Sequence, residues 1–264
     1  MNLKNSSVKM KLQNGEVCFG TMLRILKSSQ AVPLCASEGW DYIILDTEHN
    51  DYDYETLANF SLVSKYEDMG LYVRVPDKLY HQMAQMLDIG AEGLILPQVK
   101  TQAEAQHIID SIKYAPMGKR GVSVSTTVTL FRDYDIKEYT EWANRELMTI
   151  VQIESEEGVN NVEQIVATQG VDAVMIGPAD LSHDMGITGQ LHHPRMEAAF
   201  REIIKQCNKH HVAPGIHLTN MADVDKWVKE GMRFVTYSYD SKFFKDASRE
   251  ALTGLRSIAA KNDS

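Results

Sequence analysis

Tyr42-Ile43-Ile44-Leu45-Asp46-Thr47-Glu48-His49 is a short apolar run that ends abruptly in polar residues. The same shape returns where Thr149-Ile150-Val151 leads into Gln152-Ile153-Glu154. It returns again where Ala173-Val174-Met175-Ile176 leads into Gly177-Pro178-Ala179-Asp180. Each run has the length and β-branched content of a strand buried on both faces, as parallel strands are, and helical patterns separate the runs. If such strands close into a barrel, their polar ends collect on one rim, the C-terminal face where barrel enzymes do their chemistry.

Working outward, eight strand-then-helix units can be traced. The predicted strands are Val17 to Leu23, Tyr42 to Asp46, Leu71 to Val75, Gly93 to Leu96, Met148 to Glu154, Ala173 to Gly177, Ala213 to His217 and Phe234 to Tyr239. The helix near Tyr54 to Tyr66 is expected to bury Leu57, Phe60, Leu62 and Val63. In the helix from Thr101 to Ile112, Thr101 and Glu104 fit a capping box. Helical segments are also expected at Asn160 to Thr168, Arg195 to His210 and Phe243 to Ala260. Tyr114 to Asp135 interrupts the alternation as a long loop, a kind that is usually functional. No linker divides the pattern, so the expectation is α/β, a single (β/α)8 TIM barrel spanning 1–264.

The bulk numbers agree. A chain of 264 residues is close to the roughly 250 such a barrel needs. Its 44% hydrophobic and 24% charged residues are ordinary for a globular protein. A net charge of −9 without any basic run argues against nucleic acid as partner. Residues 1–13 carry lysines but no apolar stretch, and no run reaches transmembrane length, so no membrane role is expected. Cys18, Cys35 and Cys207 share no CxxC spacing, which points to a reduced, cytoplasmic setting.

Glu154 and Asp180, at neighbouring strand ends, are hard oxygen ligands suited to Mg²⁺ or Mn²⁺ with room for a chelating 2-keto acid. The plainer reading of Glu154 is a helix cap. Asp180 follows a strand that turns straight into a helix, where free N–H groups can hold a carboxylate. Arg74, within Val73-Arg74-Val75-Pro76, requires an anionic partner, either an enolate-like substrate oxygen or an acid inside the barrel. Asp46 and His49 lie three residues apart, a carboxylate that can orient an imidazole as general base. No lysine ends a predicted strand, which disfavours a Schiff base. Neither of the last two strand-end loops is glycine-rich, so phosphorylated substrates are not expected.

These segments together are similar to the HpcH/HpaI aldolase family, metal-dependent pyruvate aldolases of 2-keto-3-deoxy sugar acids and aromatic-degradation intermediates. The likeness runs from Phe19-Gly20-Thr21 to Asp240. It is carried by Asp46-Thr47-Glu48-His49, Val73-Arg74-Val75-Pro76, Asp88-Ile89-Gly90-Ala91-Glu92-Gly93, Gly118-Lys119-Arg120-Gly121-Val122, Gln152-Ile153-Glu154 and Gly177-Pro178-Ala179-Asp180-Leu181-Ser182. The resemblance implies that Glu154 and Asp180 hold a divalent metal (Mg²⁺, Mn²⁺ or Co²⁺) and that Arg74 binds the keto or enolate oxygen. It implies that His49, supported by Asp46, moves the proton of the aldol hydroxyl. Gln152 would line the pyruvate site, with backbone at Ala179 and Asp180 on its carboxylate. The implied partners are a small 2-keto acid and an aldehyde, and the implied assembly is a homo-oligomer, a hexamer whose last helix packs on a neighbour. Phe243, Phe244, Leu252, Leu255 and Ile258 would supply that contact.

Four places depart from the family pattern: Asn50 replaces a Gly, Ser125-Thr126-Thr127 an Ala-Arg-Ala, His217 an apolar residue and Ser238 a Gly. His217 is expected either to border the pyruvate methyl and favour a more polar 2-keto acid, or to turn away to a backbone carbonyl. The reading is therefore a carbon–carbon lyase that cleaves a 2-keto-4-hydroxy acid to pyruvate and an aldehyde. Left open beside it are a decarboxylase or CoA-ester lyase of the same superfamily and a catalytically idle 2-keto-acid-binding paralogue.

Overall fold

Alternate residues of a strand face opposite ways, and in this chain both faces are buried. In the computed structural model, which describes residues 3–124 and 126–262, the runs become eight strands. They are β1 (Cys18–Leu23), β2 (Tyr42–Asp46), β3 (Gly70–Arg74), β4 (Gly93–Leu96), β5 (Met148–Ile153), β6 (Ala173–Ile176), β7 (Ala213–Leu218) and β8 (Phe234–Tyr239). Each pairs in parallel with the next, and β8 returns to β1, so the sheet closes as a (β/α)8 barrel.

One parity of residues fills the barrel: Met22, Tyr42, Ile44, Tyr72, Ile150, Met175 and Phe234 form an inner cluster. The other parity, including Ile43, Leu45, Leu71, Val73, Val151 and Val174, packs outward under the helices. Tyr42 stacks on Phe234 with ring centroids 4.3 Å apart, and Tyr72 meets both rings edge-on. Gly20 makes room for this stack, because a Cβ there would lie 2.1 Å from Cε2 of Tyr42.

The inward parity carried to the C-terminal ends of the strands brings up Arg24, Asp46, Arg74, Gln152, Glu154, Gly177 and His217. The alternation that builds the core therefore also selects the residues at the barrel mouth.

Most element boundaries fall within two residues of those predicted, and the Thr101–Glu104 capping box is formed. Several details differ. The helix Tyr54–Glu67 buries Leu57 and Phe60, but Ser61 and Ser64 take the core face while Leu62 and Val63 are half-buried. Close approach explains it: Ser61 Oγ donates to the Gly90 carbonyl at 3.0 Å, and Gly90 has no space for a Cβ beside that hydroxyl. The segment predicted as one helix at Asn160 to Thr168 is two short ones, Glu156–Asn160 and Val162–Val166.

An unpredicted helix, Ser7–Gln13, sits at the strands' N-terminal end, with Val8 in the inner cluster and Lys9 Nζ 2.7 Å from Asp172. The final helix, Asp240–Asn262, keeps Phe244, Leu252, Leu255 and Ile258 exposed on this single chain. No described helix is long and apolar enough to cross a membrane.

Candidate active site

β2 and β3 pair with Asp46 directly beside Arg74. That register decides what Asp46 does. Arg74 Nε donates to Asp46 Oδ1 at 2.9 Å, and its Nη2 lies 2.8 Å from Oδ2, a two-point clamp. Asn50 Nδ2 adds a third bond, 2.7 Å to Oδ2. Asp46 is fully buried. Burial alone would raise its pKa, but the hydrogen bond and charge of Arg74, with Arg24 and His49, hold it below the usual carboxylate range. Arg74 is correspondingly raised: burial opposes its charge, but Asp46, with Glu48 and Glu154, more than offsets it.

Here the sequence expectation is corrected. No described hydrogen bond joins Asp46 to His49, because cross-strand register hands the Asp46 oxygens to Arg74. The His49 ring is 54% exposed, and its nearest acid is Glu48, 3.7 Å from Nε2. Of the two partners considered for Arg74, the internal acid is the one present, with a second contact from Nη1 to Glu48 at 3.2 Å.

Glu154 comes up from β5 and is buried. One of its oxygens accepts from the Gln98 N–H at 2.8 Å and the other from the Gln152 amide. Burial pushes its pKa up to about 6; these two hydrogen bonds pull the other way, and the charges of Asp180 and Glu48 add to the rise. Glu48 is also raised, first by burial, against the pull of Arg74 and His49.

Gly177, between Glu154 and Asp180, leaves a recess: a Cβ there would stand 2.4 Å from Glu154 Oε2 and 3.0 Å from Gln152 Nε2. The helix Pro178–Asp184 then begins at once, with proline where an N–H would have no partner anyway. The N–H groups of Ala179 and Asp180 fall in its first turn, which has no intrahelical acceptors.

A cavity of about 470 Å³ opens at the barrel mouth beside these groups. Arg74, His49, Gln152, Ala179, Asp180 and His217 line it, and no lysine does so among the described residues. A smaller cavity, about 80 Å³, holds none of the predicted residues.

Among the described residues no three His, Cys, Asp or Glu side chains gather closely enough to enclose an ion unaided. The donor set nevertheless fits a divalent cation completed by water and substrate. It offers two oxygen-donor acids at adjacent strand ends, one of them raised by burial and further by the other's negative charge, beside a recess that only glycine leaves open.

His217 does two things at once. Its Nε2 hydrogen-bonds the Ser238 carbonyl at 3.1 Å, the turning-away anticipated for it, while its ring still lines the cavity. Burial lowers its pKa to about 4; the bond to Ser238 opposes this, and the charges of Arg74 and Arg24 reinforce it. It is thus a neutral, fixed imidazole at neutral pH. Ser238 has φ 58°, a backbone conformation that glycine adopts more easily. Thr126 and Thr127 belong to a short turn, and Ser125 lies outside the described residues.

Residues 24–247 match the family model described as HpcH/HpaI aldolase/citrate lyase. The chain belongs to this family. It is 32% identical over 257 residues to a hydroxypyruvate/pyruvate aldolase of Roseobacter denitrificans, covering 97% of this chain and 96% of that one. It is 34% identical over 260 residues to a 4-hydroxy-2-oxo-heptane-1,7-dioate aldolase of Shigella boydii, with 97% and 98% coverage. Among solved structures, an HpcH/HpaI aldolase from Desulfitobacterium hafniense superposes with a TM-score of 0.90 at 31% identity, covering 94% of this chain and 96% of that chain. The protein is accordingly an aldolase of the HpcH/HpaI family, a carbon–carbon lyase on a TIM barrel.

Two residues of this site carried no assignment from sequence. Glu48, between Asp46 and His49, carries no signal beyond its place in that polar stretch. Arg24 follows Thr21-Met22-Leu23 as Arg74 follows an apolar run, so the same signal was available for it.

Proposed function

We propose that this protein cleaves a 2-keto-4-hydroxy acid into pyruvate and an aldehyde, and runs the reverse condensation, with a divalent metal held by Glu154 and Asp180. The observation that carries this reading is the shared cavity. It sets a clamped guanidinium, Arg74, in one wall with Gln152, Gly177 and Asp180, and with the half-exposed imidazole of His49. Glu154, bonded to the Gln152 amide and beside Gly177, stands directly behind that wall within reach of the charges of Asp180 and Glu48. When bound, Mg²⁺, Mn²⁺ or Co²⁺ supplies Lewis acidity toward the 2-keto acid.

The chain's own residues do the rest. Asp46 fixes the Arg74 fork, whose N–H groups stabilise the negative charge growing on the keto oxygen. Gln152 borders that oxygen's site, and the N–H groups of Ala179 and Asp180 receive the substrate carboxylate. His49 takes the proton of the 4-hydroxyl during cleavage and returns it during condensation. The exposed apolar residues of Asp240–Asn262 fit a homo-oligomer in which this helix packs on a neighbour, a hexamer by family likeness. The three unpaired cysteines suit a reducing cytoplasm.

The test follows pyruvate release with lactate dehydrogenase from a panel of 4-hydroxy-2-oxo acids, and their synthesis from pyruvate plus aldehydes. Metal-dependent formation of pyruvate and aldehyde in equal amounts is expected. Carbon dioxide release without aldehyde, or binding without turnover, overturns the reading.

A further inference from the structure

The cavity holds a second guanidinium that the mechanism above does not use. Arg24 follows β1 on the same inward parity as Met22, and it lines the cavity with 31% of its side chain exposed. Its guanidinium lies over the Tyr239 ring, 4.9 Å from the centroid. Tyr239 in turn meets the His217 ring edge-on, and His217 is anchored on the Ser238 carbonyl. The face of the Arg24 fork is therefore supported from β7 and β8.

Its edges are free. No described residue accepts a hydrogen bond from the Arg24 side chain. The nearest acid oxygen, Asp46 Oδ2, is 3.6 Å from Nε and already takes Arg74 and Asn50 at 2.8 and 2.7 Å. Asp240, the next carboxylate, is turned to the backbone: its Oδ2 accepts the N–H groups of Arg24, Ile25 and Leu26. His217 is neutral at working pH. Two guanidinium groups thus flank one oxygen of a single buried carboxylate, and one of them, Arg24, reaches it only through a 3.6 Å ion pair from Nε. A planar fork supported on one face and unpaired at its edge is the geometry that receives a carboxylate in two-point fashion.

Position says which part of a substrate this would be. In the closed strand order β1 stands opposite β5, which carries Gln152 and leads into Glu154. A keto acid seated at Glu154, Asp180 and Arg74 directs the rest of its chain across the mouth toward β1 and β8. We infer that Arg24 binds a second carboxylate on the aldehyde-derived half of the substrate, which makes the enzyme selective for aldehydes that carry an acid group. This rests on the aldolase reading for which end of the molecule lies where.

Calorimetry on the Mg²⁺-supplied protein with pairs of 2-oxo acids matched in length tests it. The pairs are 2-oxoadipate against 2-oxohexanoate and 2-oxoglutarate against 2-oxopentanoate. These acids lack the 4-hydroxyl and are not cleaved, so their binding is measured apart from turnover. The wild-type protein is expected to prefer the diacid in at least one pair. Arg24→Gln should shrink that preference by about 10- to 100-fold, the worth of a charged hydrogen bond, and Arg24→Lys should keep part of it. A diacid-to-monoacid ratio that is the same in wild type and Arg24→Gln overturns the inference, including the case where both ligands weaken equally because Arg24 only positions Asp46. If the diacid preference behaves as expected while no 2-keto-4-hydroxy acid is cleaved, the aldolase reading fails and the carboxylate site stands.

Discussion

Arg74→Ala is expected to stop pyruvate enolisation, with exchange of the pyruvate methyl protons falling by about 10²- to 10³-fold, the usual loss for a preorganised oxyanion donor. The same change strips Asp46, which is fully buried, of its two-point partner. Breaking a buried ion pair costs about 3–5 kcal/mol. The lower end applies here because Asn50 and Arg24 still face that carboxylate. Denaturant unfolding measures this part. Arg74→Lys separates the two effects: it restores charge, and with it some stability, but not the fork, so exchange stays low. Wild-type exchange in Arg74→Ala would remove Arg74 from the chemistry.

His49→Ala should act on a different step. The ring stands at the cavity edge, exposed, with Glu48 as its nearest acid. Cleavage of the carbon–carbon bond should fall by about 10²-fold or more, the scale of a lost general base. Pyruvate proton exchange, which does not involve the 4-hydroxyl, should persist well above the Arg74→Ala level. Comparing the two rates in one preparation makes the separation visible. Cleavage at the wild-type rate would place the proton transfer on another group.

The barrel was legible because parallel strands buried on both faces leave apolar runs, and because each run ended in the polar residues of the mouth. That Glu154 and Asp180 follow adjacent strands could be read from order alone, since consecutive strands of such a barrel are neighbours. The Asp46–His49 pairing failed for a related reason. Nearness in sequence suggested a dyad, whereas the register of β2 on β3 sets Asp46 beside Arg74, 28 residues away.

Ser61 takes a core-face position because the helix there packs closely on Gly90 and leaves room only for a small side chain, a constraint that hydrophobicity does not record. The helix Ser7–Gln13 was missed because it buries Val8 and is otherwise polar or half-exposed. His217 shows the remaining limit. Its position at a strand end was readable, but its bond to the Ser238 carbonyl depends on the left-handed backbone at Ser238 in the neighbouring strand β8.

Metal-dependent enolisation at Glu154 and Asp180 is read most simply from deuterium exchange into the pyruvate methyl group, followed by NMR before and after removal of divalent metal. Chelation is expected to abolish exchange, Mg²⁺, Mn²⁺ or Co²⁺ to restore it, and Glu154→Gln to resist rescue by any of them at comparable concentration. Undiminished exchange in the metal-free protein, or a covalent pyruvate–lysine adduct trapped by borohydride, would contradict metal-dependent enolisation.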